Sequence, residues 1–163
     1  MKEIVAMRTM RVADPQGEIK LNHHPFVLLV HDQPHPLESL KPVLRDLSVE
    51  TFSVRTCEEA GQLITQTELQ LVFTDTSLPD GSWADVVRMA EMASSPVDVI
   101  VVGAKEDMRL YLSALEGGAF DFVLPPFEHD ALEFVVESAR RDVRLRKSAA
   151  ASIGHASFDS IFA

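Results

Sequence analysis

At 163 residues, 46% of them hydrophobic and 25% charged, the chain is long enough for one domain with a substantial core. A formal net charge of -10 argues against a surface that coats nucleic acid, because phosphates are repelled by a diffuse acidic field. One cysteine, Cys57, excludes an internal disulfide. No apolar run approaches the roughly 20 residues of a bilayer crossing, and the opening MKEIVAMRTMRVADPQG lacks a secretory core, so an intracellular, cytoplasmic protein without membrane contact is predicted.

The first two dozen residues fit no element of a core, and 1–24 is read as an N-terminal extension. Apolar runs then recur at Phe26–Val30, Val49–Val54, Leu69–Phe73, Val97–Val102 and Phe120–Leu124. Each is about five residues long, and several lack the alternation of a sheet wet on one face, so they predict strands covered on both sides. Helical stripes lie between them: Leu37, Leu40, Leu44 and Leu47; a weaker segment from Glu58 to Thr65; Trp83, Val86, Val87 and Ala90; Met108, Leu112 and Leu115; and Leu132, Val135, Val136, Ala139 and Val143. Pro42 inside the first stripe predicts a kink or a late helix start. Ser82, after the turn Asp80-Gly81, can cap the helix that begins at Trp83, and Gly117-Gly118 ends the fourth helix. The basic run Arg140, Arg141, Arg144, Arg146 and Lys147 reads as a solvated face near a helix C-terminus, with contact to a partner as the alternative. Residues 149–163 read as a tail, which leaves 25–148 as the domain.

Five strands alternating with five helices describe an α/β fold, a doubly wound parallel sheet, whose ligands bind at the carboxyl ends of the strands. The first strand delivers His31 and Asp32 to that edge, the third Asp75, the fourth Gly103 and Ala104, and the fifth Pro125 and Pro126. Two carboxylates from separate strands could hold Mg²⁺, although aspartates at loop starts serve equally well in capping and turns. Cys57, beside Glu58 and Glu59, reads as packing. His23, His24 and His35 lie close in sequence without the spacing of a transition-metal set.

In this order the motifs resemble a response-regulator receiver domain of the CheY-like, flavodoxin-like fold, from about Pro25 to Lys147. VLLVHDQP resembles the acidic motif of the first strand, DTSLPDG the phosphoacceptor loop, VIVVGAKED the fourth strand and its loop, and GGAFDFVLPPF the fifth strand. The resemblance implies a strand order of 2-1-3-4-5 and a phosphoryl group accepted by Asp75 from a histidine kinase. It also implies Mg²⁺ held by Asp32, Asp75 and the backbone carbonyl of Ser77, with Phe122 as the aromatic switch residue. A carboxylate is a poor nucleophile toward an anionic phosphoramidate, so such a site must supply positive charge and positioning.

The sequence departs from that pattern. His31 stands where the family has a first acid, Gly103 where it has Ser or Thr, Pro125 where it has Lys, and Phe122 where Tyr is frequent. A charge-assisted hydrogen bond contributes roughly 1.5 to 3 kcal/mol, so loss of the lysine weakens phosphate retention by about one to two orders of magnitude. Two acids with a neutral His31 carry the same formal charge as three acids with a lysine, so weak Mg²⁺ binding survives while switching is impaired. A protonated His31 could replace part of the lysine but would repel the metal; the simpler reading is a polar residue hydrogen-bonded at the strand end.

Two functions follow. One is an atypical receiver acting as a protein-interaction module; the alternative is a working phosphoacceptor receiver that a histidine kinase phosphorylates on Asp75 with Mg²⁺. No nucleophile-base pair or glycine-rich phosphate loop points to an ordinary enzyme, and no DNA-binding motif is visible. The resemblance implies a homodimer through the fourth helix, fifth strand and fifth helix, carrying Arg109, Tyr111, Asp121, Glu137 and Arg141. The last helix and SFDSIFA also resemble the connector of NtrC-type regulators.

Overall fold

A computed structural model describes residues 11–13, 19–21 and 26–162. Five strands form one parallel sheet: β1 (Val27–Val30), β2 (Thr51–Val54), β3 (Leu71–Asp75), β4 (Asp98–Val102) and β5 (Asp121–Val123). Their order is β2-β1-β3-β4-β5, as the resemblance implies. Five helices connect and cover them: α1 (Leu40–Asp46), α2 (Cys57–Gln66), α3 (Trp83–Glu91), α4 (Met108–Glu116) and α5 (His129–Phe162). Arg11–Ala13 and Ile19–Leu21 pair antiparallel as a separate ribbon.

The apolar strands bury both faces because successive side chains point opposite ways. Val27, Leu29, Leu71, Phe73, Ile100 and Val102 pack with residues of α1 and α5. Leu28, Val30, Val72, Val99 and Val101 pack with residues of α2, α3 and α4. This two-sided core explains why the runs read as continuous.

Local chemistry places the helix starts. A 3₁₀ turn, Leu37–Ser39, precedes α1, so Pro42 sits in the first turn of the α-helix, where its missing N–H breaks no bond. The late start holds. Ser82 and Asp85 form a capping box at α3, with Ala84 N donating to Ser82 Oγ at 3.2 Å and Ser82 N to Asp85 Oδ2 at 2.9 Å. Gly118 takes φ +107°, a left-handed turn that links α4 to β5.

At the C-terminal end α5 continues through the residues read as a tail to Phe162; Ser148-Ala149-Ala150-Ala151 favours helix and nothing before Gly154 interrupts it, and one expectation is corrected. The basic run therefore lies inside a helix rather than near its C-terminus. Its members find partners instead: Arg140 pairs with Glu137 at 3.5 Å, and Arg146 with Asp142 at 2.9 Å and with buried Asp98 at the start of β4. Among the described residues no helix is long and apolar enough to cross a membrane.

Candidate functional site

The carboxyl edge of the sheet begins with His31. Its N–H donates to the Val54 carbonyl at 2.9 Å, extending the β1–β2 ladder by one bond, and the residue is only 6% exposed. Nδ1 lies 2.8 Å from the Gln33 carbonyl oxygen. A carbonyl accepts and cannot donate, so Nδ1 carries the proton of this bond. Nε2 is buried and has no hydrogen-bond partner among the described residues.

Asp32 turns toward β2. Its Oδ1 lies 3.7 Å from Nε of Arg55, and Oδ2 accepts from the Gln33 amide at 3.3 Å. Val30 pairs with Val54, so the chain leaves both strands with Asp32 and Arg55 near one another. Both side chains are well solvated, and such a pair contributes at most about 1 kcal/mol.

Asp75 is the last residue of β3. Thr74 pairs with Val30, and one step further His31 and Asp75 leave adjacent strands side by side. The Thr76 N–H donates to Asp75 Oδ1 at 2.7 Å, with the Thr76 hydroxyl at 3.4 Å from the same oxygen. Burial pushes the Asp75 carboxyl above its ordinary range, against the pull of these Thr76 contacts and of charge on His31. Oδ2 receives no hydrogen bond from the described residues.

Ser77 follows in a two-residue ladder with Ser82, and Asp80 folds back from this hairpin to α2. Asp80 accepts from the N–H groups of Cys57 at 2.7 Å and Glu58 at 3.0 Å. Cys57 is buried, and burial pushes its thiol up to about 11, which fits packing rather than reactivity.

On the other side of Asp75, Gly103 is buried and donates its N–H to Val123 at 2.9 Å. A Cβ at 103 would meet Phe122 Cζ at 2.5 Å and Leu124 Cδ2 at 2.8 Å. Phe122 is 8% exposed and packs edge-on against Tyr111, with ring centroids 5.9 Å apart at 89°. Pro125 is exposed and joined to Pro126 by a cis bond, so β5 sends no cation to the edge.

The residues singled out in the sequence thus share one edge but divide into three groups: His31 beside Asp75, Asp32 turned to Arg55, which the sequence reading did not single out, and Gly103 with Phe122. Among the described residues, three potential ligands with atoms mutually within 4.8 Å occur at His129, Asp130 and Glu133, exposed at the start of α5, and not at 31, 32 and 75. The donor set is a poor fit to Mg²⁺, a hard ion that takes oxygen: one donor is an imidazole nitrogen, and Asp32 is engaged by a guanidinium. His35 is exposed and joins no such cluster; His23 and His24 lie outside the described residues.

Sequence reading missed Arg55, Thr76 and the clamp of Arg146 on Asp98. Arg55 was within reach, because it follows the second strand as His31 follows the first. Thr76 and Arg146 act through contacts that residue type alone does not announce.

Residues 27–137 match the family model described as a response regulator receiver domain. The chain is similar to the response regulator protein PilR of Pseudomonas aeruginosa, 32% identical over 114 residues that span 70% of this chain and 26% of PilR. It is also similar to the DNA-binding response regulator MtrA of Mycolicibacterium smegmatis, 32% identical over 122 residues, 75% of this chain and 51% of MtrA. It therefore spans from about a quarter to half the length of these curated relatives. Among solved structures, the signal receiver domain of an HD domain-containing protein from Pseudomonas fluorescens Pf-5 superposes with a TM-score of 0.67 at 22% identity, covering 79% of this chain and 96% of that one, a likeness of fold.

Proposed function

The chain belongs to the response regulator receiver family of two-component signalling, and from that premise we propose that it is an atypical receiver, a protein-interaction module whose output face is set by packing rather than by phosphorylation of Asp75. One observation carries this reading. The Phe122 ring fills the space that a Ser or Thr side chain at 103 needs, so no hydroxyl can stand between Asp75 and the aromatic residue. Phosphorylation then has no lever on β5. Pro125 removes the cation that would hold a phosphoryl group, and Arg55 answers Asp32 rather than Asp75.

Receivers are signalling modules rather than ordinary enzymes, and self-catalysed phosphoryl uptake is the most chemistry this edge offers. The second reading, Mg²⁺-dependent phosphorylation of Asp75 by a histidine kinase, is favoured by the unbonded Asp75 Oδ2 at the sheet edge. Intact-mass measurement after incubation with acetyl phosphate and Mg²⁺ separates the two. Stoichiometric gain of one phosphoryl, lost in Asp75→Ala, overturns the first reading; no gain from small donors or a cognate kinase ends the second.

The partner is a histidine kinase or another signalling protein of the cytoplasm, met by protein contact rather than through nucleic acid or membrane. A homodimer through α4, β5 and α5 is part of the proposal. Exposed Met108, Tyr111 and Leu112 lie on α4 beside Arg109, with Asp121 of β5 and Glu137 of α5 supplying opposite charge and Arg141 of α5 a second cation. Light scattering at rising concentration tests it, and persistent monomer overturns it. The 34-residue α5 fits a connector helix of the NtrC type, with 25–148 as the receiver and 1–24 as an extension.

A further inference from the structure

At the amino edge of the sheet, opposite the candidate site, Asp98 opens β4 with a side chain only 7% exposed. It shares the face of Leu71, Ile100 and Val102, the face that α5 covers. Two charged groups act on it, and both come from α5. Arg146 Nη2 pairs with Asp98 Oδ1, while Nε of the same guanidinium lies 2.9 Å from Asp142 Oδ2, one turn earlier in the helix. The other elements on this face bring apolar chains, Leu71 from β3 and Phe120 from the approach to β5.

One cation therefore answers two carboxylates. Asp98 Oδ2 is buried and receives no hydrogen bond among the described residues, which destabilises the ionised carboxylate. Burial first, and then a hydrogen bond that the acid form gains with Asp142, favour a protonated Asp98; Arg146 opposes them. Past this point the helix has few ties. Val143 is the last buried residue of α5 among those described, and no described ion pair beyond Arg146 joins it to the sheet.

We propose that Asp98, Asp142 and Arg146 form a proton-controlled latch: α5 is docked while the carboxyl pair holds one proton, and loss of that proton to water releases the turns after Val143. Two carboxylates then face a single guanidinium in a half-buried place, and opening returns the second charge to solvent. Docking takes up the proton and opening sheds it, so opening grows as pH rises toward the docked value. The latch lies at the far edge from Asp75 and acts on the helix whether or not Asp75 takes a phosphoryl group.

The test follows amide hydrogen exchange of the full chain from about pH 5 to about pH 8, corrected for the intrinsic rate, together with the carboxyl ¹³C shift of Asp98. Amides of α5 after Val143 are expected to exchange faster than those of β1, and their protection to fall by about tenfold per pH unit below neutrality. Asp98→Asn is expected to abolish that dependence, and Asp142→Asn to lower the pH at which Asp98 titrates. Protection after Val143 that is insensitive to pH, that matches β1 throughout, or that keeps the parent's slope in Asp98→Asn overturns the proposal. If a variant does not fold by circular dichroism, the ¹³C midpoint of the unmodified chain decides: near neutrality it supports the latch, and at the ordinary aspartate value of 3.8 it overturns it. No readout involves phosphoryl uptake, so the latch and the receiver reading fail separately.

Discussion

The ring of Phe122 occupies the place of the side chain that Gly103 lacks: a Cβ on Gly103 would sit 2.5 Å from Cζ and 3.2 Å from Cε1. The glycine at the end of β4 and the aromatic residue in β5 are therefore one feature. Each residue permits the other, and the ring lies inward between Gly103 and Tyr111.

Gly103→Thr is accordingly expected to destabilise the domain by about 1–3 kcal/mol, the usual cost of overpacking a closed core. Adding Phe122→Ala removes the closer of the two clashes and leaves the one with Leu124 Cδ2, so the double variant is expected to lose less than the two single losses combined. Urea denaturation of the four proteins of the cycle measures that coupling.

Restoring the missing groups should restore phosphoryl chemistry in part. His31→Asp with Pro125→Lys returns an oxygen ligand and a charge-assisted contact, and phosphoryl occupancy after acetyl phosphate and Mg²⁺ is expected to rise by about one to two orders of magnitude. Intact mass gives the occupancy; a double variant no better than the parent counts against the assignment of these positions.

Asp98 makes stability depend on pH. Burial, then Asp142, raises its carboxyl to about 7 against the pull of Arg146. Between the ordinary aspartate value of 3.8 and about 7, the folded protein keeps a proton that the unfolded chain has released. Stability therefore falls as pH rises through that window. Melting temperatures across it are expected to decline in the parent and to flatten in Asp98→Asn, while Arg146→Ala extends the decline to higher pH by removing the opposing cation.

Asp80→Ala is expected to lower stability by about 1 kcal/mol, since the N–H groups of Cys57 and Glu58 lose the carboxylate that caps α2. Although burial opposes it, these amides hold the Asp80 carboxyl below its ordinary value. Its contribution is present above the unfolded value and is lost as pH falls through the lower folded one. Thermal unfolding at neutral pH and near pH 3 is expected to show a smaller difference between parent and variant in acid.

The sheet was legible because its signals are local. Apolar runs of strand length, the Ser82 cap, the displaced start caused by Pro42 and the turn at Gly118 depend on residues near in sequence. The edge was legible as a set of positions, because strand ends in a doubly wound sheet point to one crevice. Its pairings were not. Arg55 with Asp32 and Phe122 with Gly103 are choices among neighbours that become available once strands lie side by side. The length of α5 was underestimated because Ser148 and the alanines after it carry no apolar stripe, although they favour helix by intrinsic preference.

Arg146 joins α5 to the root of β4 through Asp98, and beyond it the helix continues to Phe162, about 24 Å at 1.5 Å per residue. A stiff rod hinged at one end magnifies small turns. A tilt of about 10° at that junction displaces the far end by about 4 Å, more than the width of a backbone hydrogen bond. A contact made by the far end of α5 would register a shift in the sheet too small to alter the core itself.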